Sequence, residues 1–388
     1  DPLWSRGLGD VYKRQTMSRT FTHSSTGTVV EYPNATHFAF VPAIFKITKI
    51  PTEYNKLEMV LTDRQAQQTY SEEREPFNGT AYFDIRRYLQ LLFNNVAHGV
   101  IDYSKGFVDS PLKKTVYATI YWYSNGSQFY LGTFGIDAIW GAISARESSG
   151  GIMRRKWFVR YPFTVDVFAK NGTSFDVLID GKQSDIMFYN HNEDAEGATP
   201  YHRYLLNPAK AIDPSTVVRS VHIAVPHSLV LKNDEEAVGM VAYTLDIDRS
   251  TNGVYLRWID QQGRYCYYLF KEIGSASTVS ASSTWERNDM NVPTAYIDGV
   301  NVETSVRQSL SRKKTRSLGA KLVDSETYDF LLTLAQSVVV DVFDGYDAND
   351  VSLWHRVNIV AGSYEKTTKH YQDFIFSIEE PAQSAQTL

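Results

Sequence analysis

The sequence predicts a mainly β chain, built as two β-sandwich or barrel-like domains with two short amphipathic helices. Three observations predict it. Short aromatic and β-branched runs alternate with Gly, Asn, Asp and Pro turns along the 388 residues, as strands do in sandwiches and barrels. Only two segments carry an apolar period near 3.6 residues. One stretch, Gly253 to Phe270, reads as a hairpin that is apolar on both faces.

In that stretch Val254–Ile259 and Tyr265–Phe270 flank the polar loop Asp260-Gln261-Gln262-Gly263. Aromatic and β-branched side chains suit a pleated surface, and a Gly-ended loop suits a left-handed turn residue. Val254, Leu256 and Trp258 share one face and Tyr255, Arg257 and Ile259 the other. Such a ribbon belongs inside a layer or against another subunit.

Before the hairpin, a short strand, a turn and a longer strand are predicted from Thr28 to Ile50, with Pro42 at an edge or bulge. Leu57–Leu61 reads as a strand, and Thr80–Phe83 leads into a helix with Asp84 as N-cap and Ile85, Tyr88, Leu89 and Leu92 on one face. Two hairpins with Asn-Gly turns are predicted. One joins Tyr117–Tyr123 to Gln128–Phe134, the other Val165–Ala169 to Ser174–Ile179. Tyr189–Ser215 is rich in turn formers and charge and reads as a linker or long excursion. Val217–Val230 and Met240–Ile247 read as strands.

After the hairpin, Ser275–Thr284 reads as a Ser/Ala-rich connection, and Arg312, Lys313, Lys314 and Arg316 form a basic cluster. Asp324–Gln336 is the second helix, with an acidic first turn that suits its dipole. Strands Val338–Phe343, Trp354–Val360 and Phe374–Ile378 follow. The domains are therefore 1–16 a non-native or disordered leader, 17–189 an N-terminal β domain, 190–215 the linker, 216–380 a C-terminal β domain and 381–388 a disordered tail. Asp10–Gln15 reads like a translated sequencing-library adapter joined before Met17, the mark of a metagenomic source.

Composition narrows the classes. The formal net charge is −5, so no global basic field advertises nucleic acid. No apolar run approaches the roughly 18 residues of a membrane helix, and no secretory signal follows Met17. With Cys266 as the single cysteine, an internal disulfide is impossible, and the chain is expected to be made and kept in the cytoplasm or released by lysis.

Tests for chemistry end in the same place. His191, Glu193, Asp194 and His202 lie close together but lack metal-ligand spacing. Asp246, Asp248, Ser250 and Asn252 imitate a calcium loop, yet the sixth position is Thr251 and the twelfth Arg257. Asp344, Asp347 and Asp350 suit a turn. Nucleophile elbows, phosphate loops and dinucleotide fingerprints are absent, so no catalytic residue, metal or cofactor is assigned and the chain is not expected to be an enzyme. Trp122, Trp140, Trp157, Trp258 and the tyrosines would make either a sugar-stacking platform or core and interface. As a possible interface the sequence offers Tyr255, Arg257, Tyr265 and Tyr267 on one hairpin face, against a core reading of the same residues.

The order of GVYLRWIDQQGRYCYYLF, SLGAKLVDSETYDFLLTL and FIFSIEEPAQ resembles uncharacterised tail and baseplate structural proteins of tailed phages and prophages from gut Bacteroidales. FAFVPAIFKI and GTAYFDIRRYLQLLF look similar to the opening of the same proteins, so the resemblance covers most of the chain from Met17. It implies a distal-tail-like virion component, assembled in the host cytoplasm. Its partners would be copies of itself in a ring-like homo-oligomer and neighbouring tail proteins, with no cofactor, nucleic acid or membrane. A carbohydrate-binding β-sandwich adhesin that recognises a host-surface glycan is the alternative.

Overall fold

The computed structural model describes residues 19–33, 36–63, 67–94, 101–102, 107–142, 151–168, 174–180, 182–189, 201–206, 220–232, 235–286, 296–297, 300–301, 305–349 and 351–386. These residues are mostly strand, with two short helices, so the mainly β fold is as predicted. The chain divides into two compact units. The first holds residues 1–250 with 259–266 and 346–353, and so draws on both sides of the 190–215 segment. The second holds 251–258, 267–345 and 354–388.

The first unit opens with β1 (Arg19–Thr22), β2 (Val29–Tyr32), β3 (Thr36–Phe38), β4 (Ile44–Thr48), β5 (Lys56–Asp63), β6 (Gln68–Arg74), β7 (Ala81–Asp84) and α1 (Arg86–Leu91). Pro42 lies in the connection between β3 and β4, where its missing N–H costs no ladder bond. Helix α1 is shorter than predicted. Its N-cap is Ile85, and Asp84 instead accepts the Arg86 and Ala43 amides through Oδ1 at 3.0 and 3.3 Å. Then come β8 (Ile101–Asp102), β9 (Phe107–Asp109), β10 (Lys113–Ser124) and β11 (Ser127–Ile139). β10 and β11 are the predicted Asn-Gly hairpin, with Asn125 and Gly126 both at positive φ.

Sheet β1-β2-β4-β7 and sheet β3-β11-β10-β5-β6 share one core. Alternate residues Leu57, Met59 and Leu61 of β5, and Val116, Ala118, Ile120 and Trp122 of β10, meet Phe45 and Ile47 of β4, Phe83 of β7 and Leu89 of α1. The period of two puts every second side chain inside, which is what makes the strands legible.

The remainder of this unit is β12 (Gly151–Phe158), β13 (Phe163–Phe168), β14 (Ser174–Ile179), β15 (Lys182–Tyr189), β16 (Tyr201–Leu206), β17 (Ser220–Lys232) and β18 (Glu235–Asp248). The predicted hairpin of β13 with β14 does not form. β13 pairs with β16 and β14 with β15, in different sheets. β14 folds back after Asp180, whose φ is 48°, with Ile179 opposite Lys182. β16 forms within the segment expected to be a linker, whose other residues, 190–200 and 207–215, lie outside the described ones, as does the 1–16 leader.

The chain then runs through β19 (Val254–Ile259), β20 (Tyr265–Glu286), β21 (Tyr296–Ile297), β22 (Val300–Asn301), β23 (Ser305–Asp324), α2 (Ser325–Ala335), β24 (Val340–Tyr346), β25 (Val351–Ile359), β26 (Tyr371–Glu379) and β27 (Gln383–Gln386). Within the second unit the pairings close on themselves: β20, β19, β24, β25, β26, β23 and back to β20. The result is a six-stranded barrel, too narrow to be anything but filled. Leu256, Trp258, Phe270, Leu318, Val342, Phe374, Phe376 and Ile378 are buried on one set of alternate positions. Helix α2 adds Tyr328, Phe330, Leu331 and Leu334. Trp258 meets Phe330 at 5.1 Å, Phe270 meets Phe376 at 4.8 Å, and the Trp258 indole donates to Thr333 Oγ1 at 2.9 Å. Asp324 caps α2 by accepting the Thr327 amide at 2.7 Å.

Two expectations are corrected here. Ser275–Thr284 is not a connection but the continuation of β20, because small Ser, Thr, Ala and Val residues pair along β23 from Lys271–Gly319 to Glu286–Ser305. The tail is not disordered at 383–386, which pairs as β27 with Leu310–Arg312 of β23.

Candidate functional site

The hairpin of β19 and β20 is buried on both faces, as its pattern predicts. Gly263, at φ 75°, makes the left-handed turn, and a Cβ there would fall 1.9 Å from the Trp140 carbonyl. The four residues singled out on one face are all buried within the chain: Tyr255, Arg257, Tyr265 and Tyr267. They take the core role, with no exposed side chain among them.

Arg257 is fully buried and donates to Asp341 Oδ2 from Nη2 at 2.6 Å and from Nε at 3.2 Å, while its guanidinium lies 4.3 Å from the Trp354 ring. Asp341 also accepts Arg356 Nε at 2.6 Å on its other oxygen. Tyr255 packs with Tyr267, Phe343 and Trp354 at 6.0–6.2 Å. A charge is tolerated here because it is paired, hydrogen-bonded and stacked. Tyr265 belongs to the first unit, where its amide donates to Asp166 Oδ2 at 2.7 Å. Burial pushes the Cys266 thiol well up, leaving it protonated at neutral pH and a poor nucleophile.

The platform tryptophans are also spent inside. Trp122, Trp157 and Trp258 are buried, and Trp140 packs against Phe40 and Phe93. The acidic pairs serve local structure. Asp246 and Asp248 bind Arg154 and Lys156, and Asp347 Oδ1 accepts the Asn349 and Val351 amides in a turn. The set around His191 lies outside the described side chains. Among the described residues no group of three or more His, Cys, Asp or Glu could hold a metal ion, and no helix is long and apolar enough to cross a membrane.

The surface that sequence reasoning missed is the far part of β20. β19 begins at Val254, and Gly253 lies so close to the Phe270 carbonyl that a Cβ would fall 2.4 Å from it. β20 runs on past this partner. From Lys271 to Ala281 every residue is exposed, on both faces of the strand, including Ile273 at 50% and Val279 at 58%. Among the described residues this stretch pairs only with β23, so its outer edge carries unpaired backbone groups. From Ile273 to Trp285 it has no charge and no proline, the usual guards of an edge. The basic cluster lies on the neighbouring strand as a paired row, not a loop. Lys313 meets Glu379 at 2.6 Å, Arg316 meets Glu272 at 2.8 Å, and Arg312 donates to Ser277 Oγ at 3.1 Å. The signal available in the sequence was the unbroken run of small β-compatible residues facing a second, basic run of similar length.

No family model matches the chain, and no characterised relative matches it. Two solved structures are similar to it in part. One chain comes from the crystal structure of a mouse coronavirus receptor-binding domain complexed with its murine receptor. It is 6% identical, with a TM-score of 0.20, over 57% of this chain and 100% of that one. The other is from a 1.5-MDa bacterial ice-binding adhesin studied for host cell surface retention. It is 12% identical, with a TM-score of 0.18, over 88% of this chain and 92% of that one. At such scores neither likeness bears on what this chain does.

Proposed function

We propose that the chain is a virion structural protein of a phage tail or baseplate, distal-tail-like, that works by self-assembly and by contact with neighbouring tail proteins. It assembles in the host cytoplasm, catalyses no reaction and takes no cofactor. The observation that carries the assembly reading is the exposed part of β20. At about 3.3 Å per residue, Lys271 to Ala281 extends for about 35 Å. A strand exposed on both faces, with an unguarded edge, is unstable as a free surface and suited to pairing with another chain. Negative-stain images of the full chain at high concentration test this. Discrete closed particles of one size support it, and isolated single chains at every concentration overturn it.

One observation favours the alternative, a carbohydrate-binding adhesin. At the turn of β10 and β11, Phe129 and Tyr130 are exposed, Tyr130 contacts Tyr121 at 6.2 Å, and Tyr54 stacks on Trp122 at 4.2 Å. Exposed rings beside hydroxyls suit a sugar's alternating faces. Binding on a glycan array that is lost in Tyr130→Ala would favour this reading over assembly alone.

A further inference from the structure

One file of charges crosses five strands of the barrel. Glu272 of β20 meets Arg316 of β23 at 2.8 Å, and Arg316 also reaches Glu380 Oε1, just after β26, at 3.2 Å. Glu380 Oε2 lies 2.8 Å from His355 Nε2 on β25. The other ring nitrogen, Nδ1, lies 2.8 Å from both carboxylate oxygens of Asp344 on β24. Each member stands two positions along its strand from a buried residue: Phe270, Leu318, Ile378, Val357 and Val342. With a side-chain period of two, the file is a polar layer lying on the last apolar layer of the barrel.

His355 stands where closure is thinnest. β26 is in register with β23 from Thr315–Glu379 to Asp324–Tyr371, but with β25 only at Asn358–Glu379 and Ile359–Ile378. One further bond crosses this seam, from the Val360 amide to the Ser377 carbonyl at 2.9 Å. The His355–Glu380 contact is the side-chain tie over the same seam. A neutral imidazole has one N–H and one lone pair, so it can donate to only one of two carboxylates and must turn its lone pair on the other. Only the imidazolium satisfies both. The groups that face the ring are Asp344 and Glu380, with Arg316 and Glu272 beyond Glu380. Arg356, the next residue of β25, is engaged by Asp341, and Lys313 by Glu379, while the Lys314 carbonyl accepts the Glu380 amide.

We propose that His355 is a proton-operated clasp of the barrel: the charged ring locks β24 and β25 to the end of β26, and its deprotonation loosens the β25–β26 seam and, through Glu380 and Arg316, the root of the β20–β23 ribbon. Partial burial works against the charged ring, but the bonds to Asp344 and Glu380 outweigh it and raise its pKa above the ordinary value. A raised value gives stabilisation that is complete below about pH 6.5 and lost as pH climbs through the folded value. The seam is therefore closed near pH 6 and opens as pH rises through the raised value of the folded chain. The proposal stands on the barrel alone and holds whether or not the chain assembles.

Hydrogen exchange of the full chain, followed in peptides over β25 and β26 from about pH 6 to about pH 9 and corrected for intrinsic rates, tests it. The wild type should lose seam protection several-fold across that range, while β10 and β11 stay unchanged. His355→Arg, always charged, should hold its protection throughout, and His355→Gln, never charged, should be poorly protected and flat. A flat wild type, or the same fall in His355→Gln, overturns the clasp. If either variant misfolds, selective histidine labelling decides by NMR: a His355 midpoint at or below that of free histidine overturns it, and one above it supports it.

Discussion

Arg257 and Asp341 show how one buried pair sets the terms for its neighbours. Each is nearly inaccessible, and Asp341 serves Arg257 and Arg356 at once. Taking away the carboxylate strands a buried guanidinium, so Asp341→Ala should cost about 3–5 kcal/mol in denaturant unfolding of the second unit. Cys266 gives a second reading at the same scale. A thiol held protonated by burial should ignore a thiol reagent at neutral pH in the native chain and react stoichiometrically once the chain is unfolded. Arg257 and Cys266 sit in the stretch whose pattern pointed inward from both faces. What the pattern could not give was the ion pair, because Asp341 lies 84 positions away and only barrel closure brings it to Arg257.

At the scale of elements, local chemistry decided what could be read. Asp324 before an amphipathic run, and Asn125-Gly126 between alternating strands, act through the nearest few residues and fold as predicted. Replacing the cap, Asp324→Ala, should cost about 1 kcal/mol, measured by thermal or denaturant unfolding. Gly263→Ala should be worse, since the left-handed backbone alone costs about 1–2 kcal/mol and the new Cβ collides with the Trp140 carbonyl. Pairing between distant strands was not legible. β13 was given the wrong partner because an Asn-Gly turn names a neighbour in sequence, while the true partner, β16, starts 33 residues after β13 ends. The Ser/Ala run of β20 was read as a connection because Ser and Ala carry weak strand signals alone. It is the register against β23 that makes them strand.

At the scale of the molecule, the mainly β expectation with two short helices matches in class, and the barrel of the second unit supplies a detail that no local pattern holds. Of the candidate site, the interior hairpin was legible and its exposed continuation was not, since exposure on both faces depends on which strands fail to cover it. If copies meet through β20, charge placed on its edge should separate them. Thr278→Glu with Ser280→Glu sets carboxylates opposite Lys313 and Ser311, which the ribbon tolerates, but puts like charges across any contact between copies. A dissociation constant raised by about tenfold or more, with unchanged circular dichroism, is expected. The most direct measurement is the molar mass of the full chain by light scattering after size exclusion, over a concentration series. Self-assembly predicts a discrete oligomer that persists on dilution to the micromolar range; a mass of one chain at every concentration would contradict it.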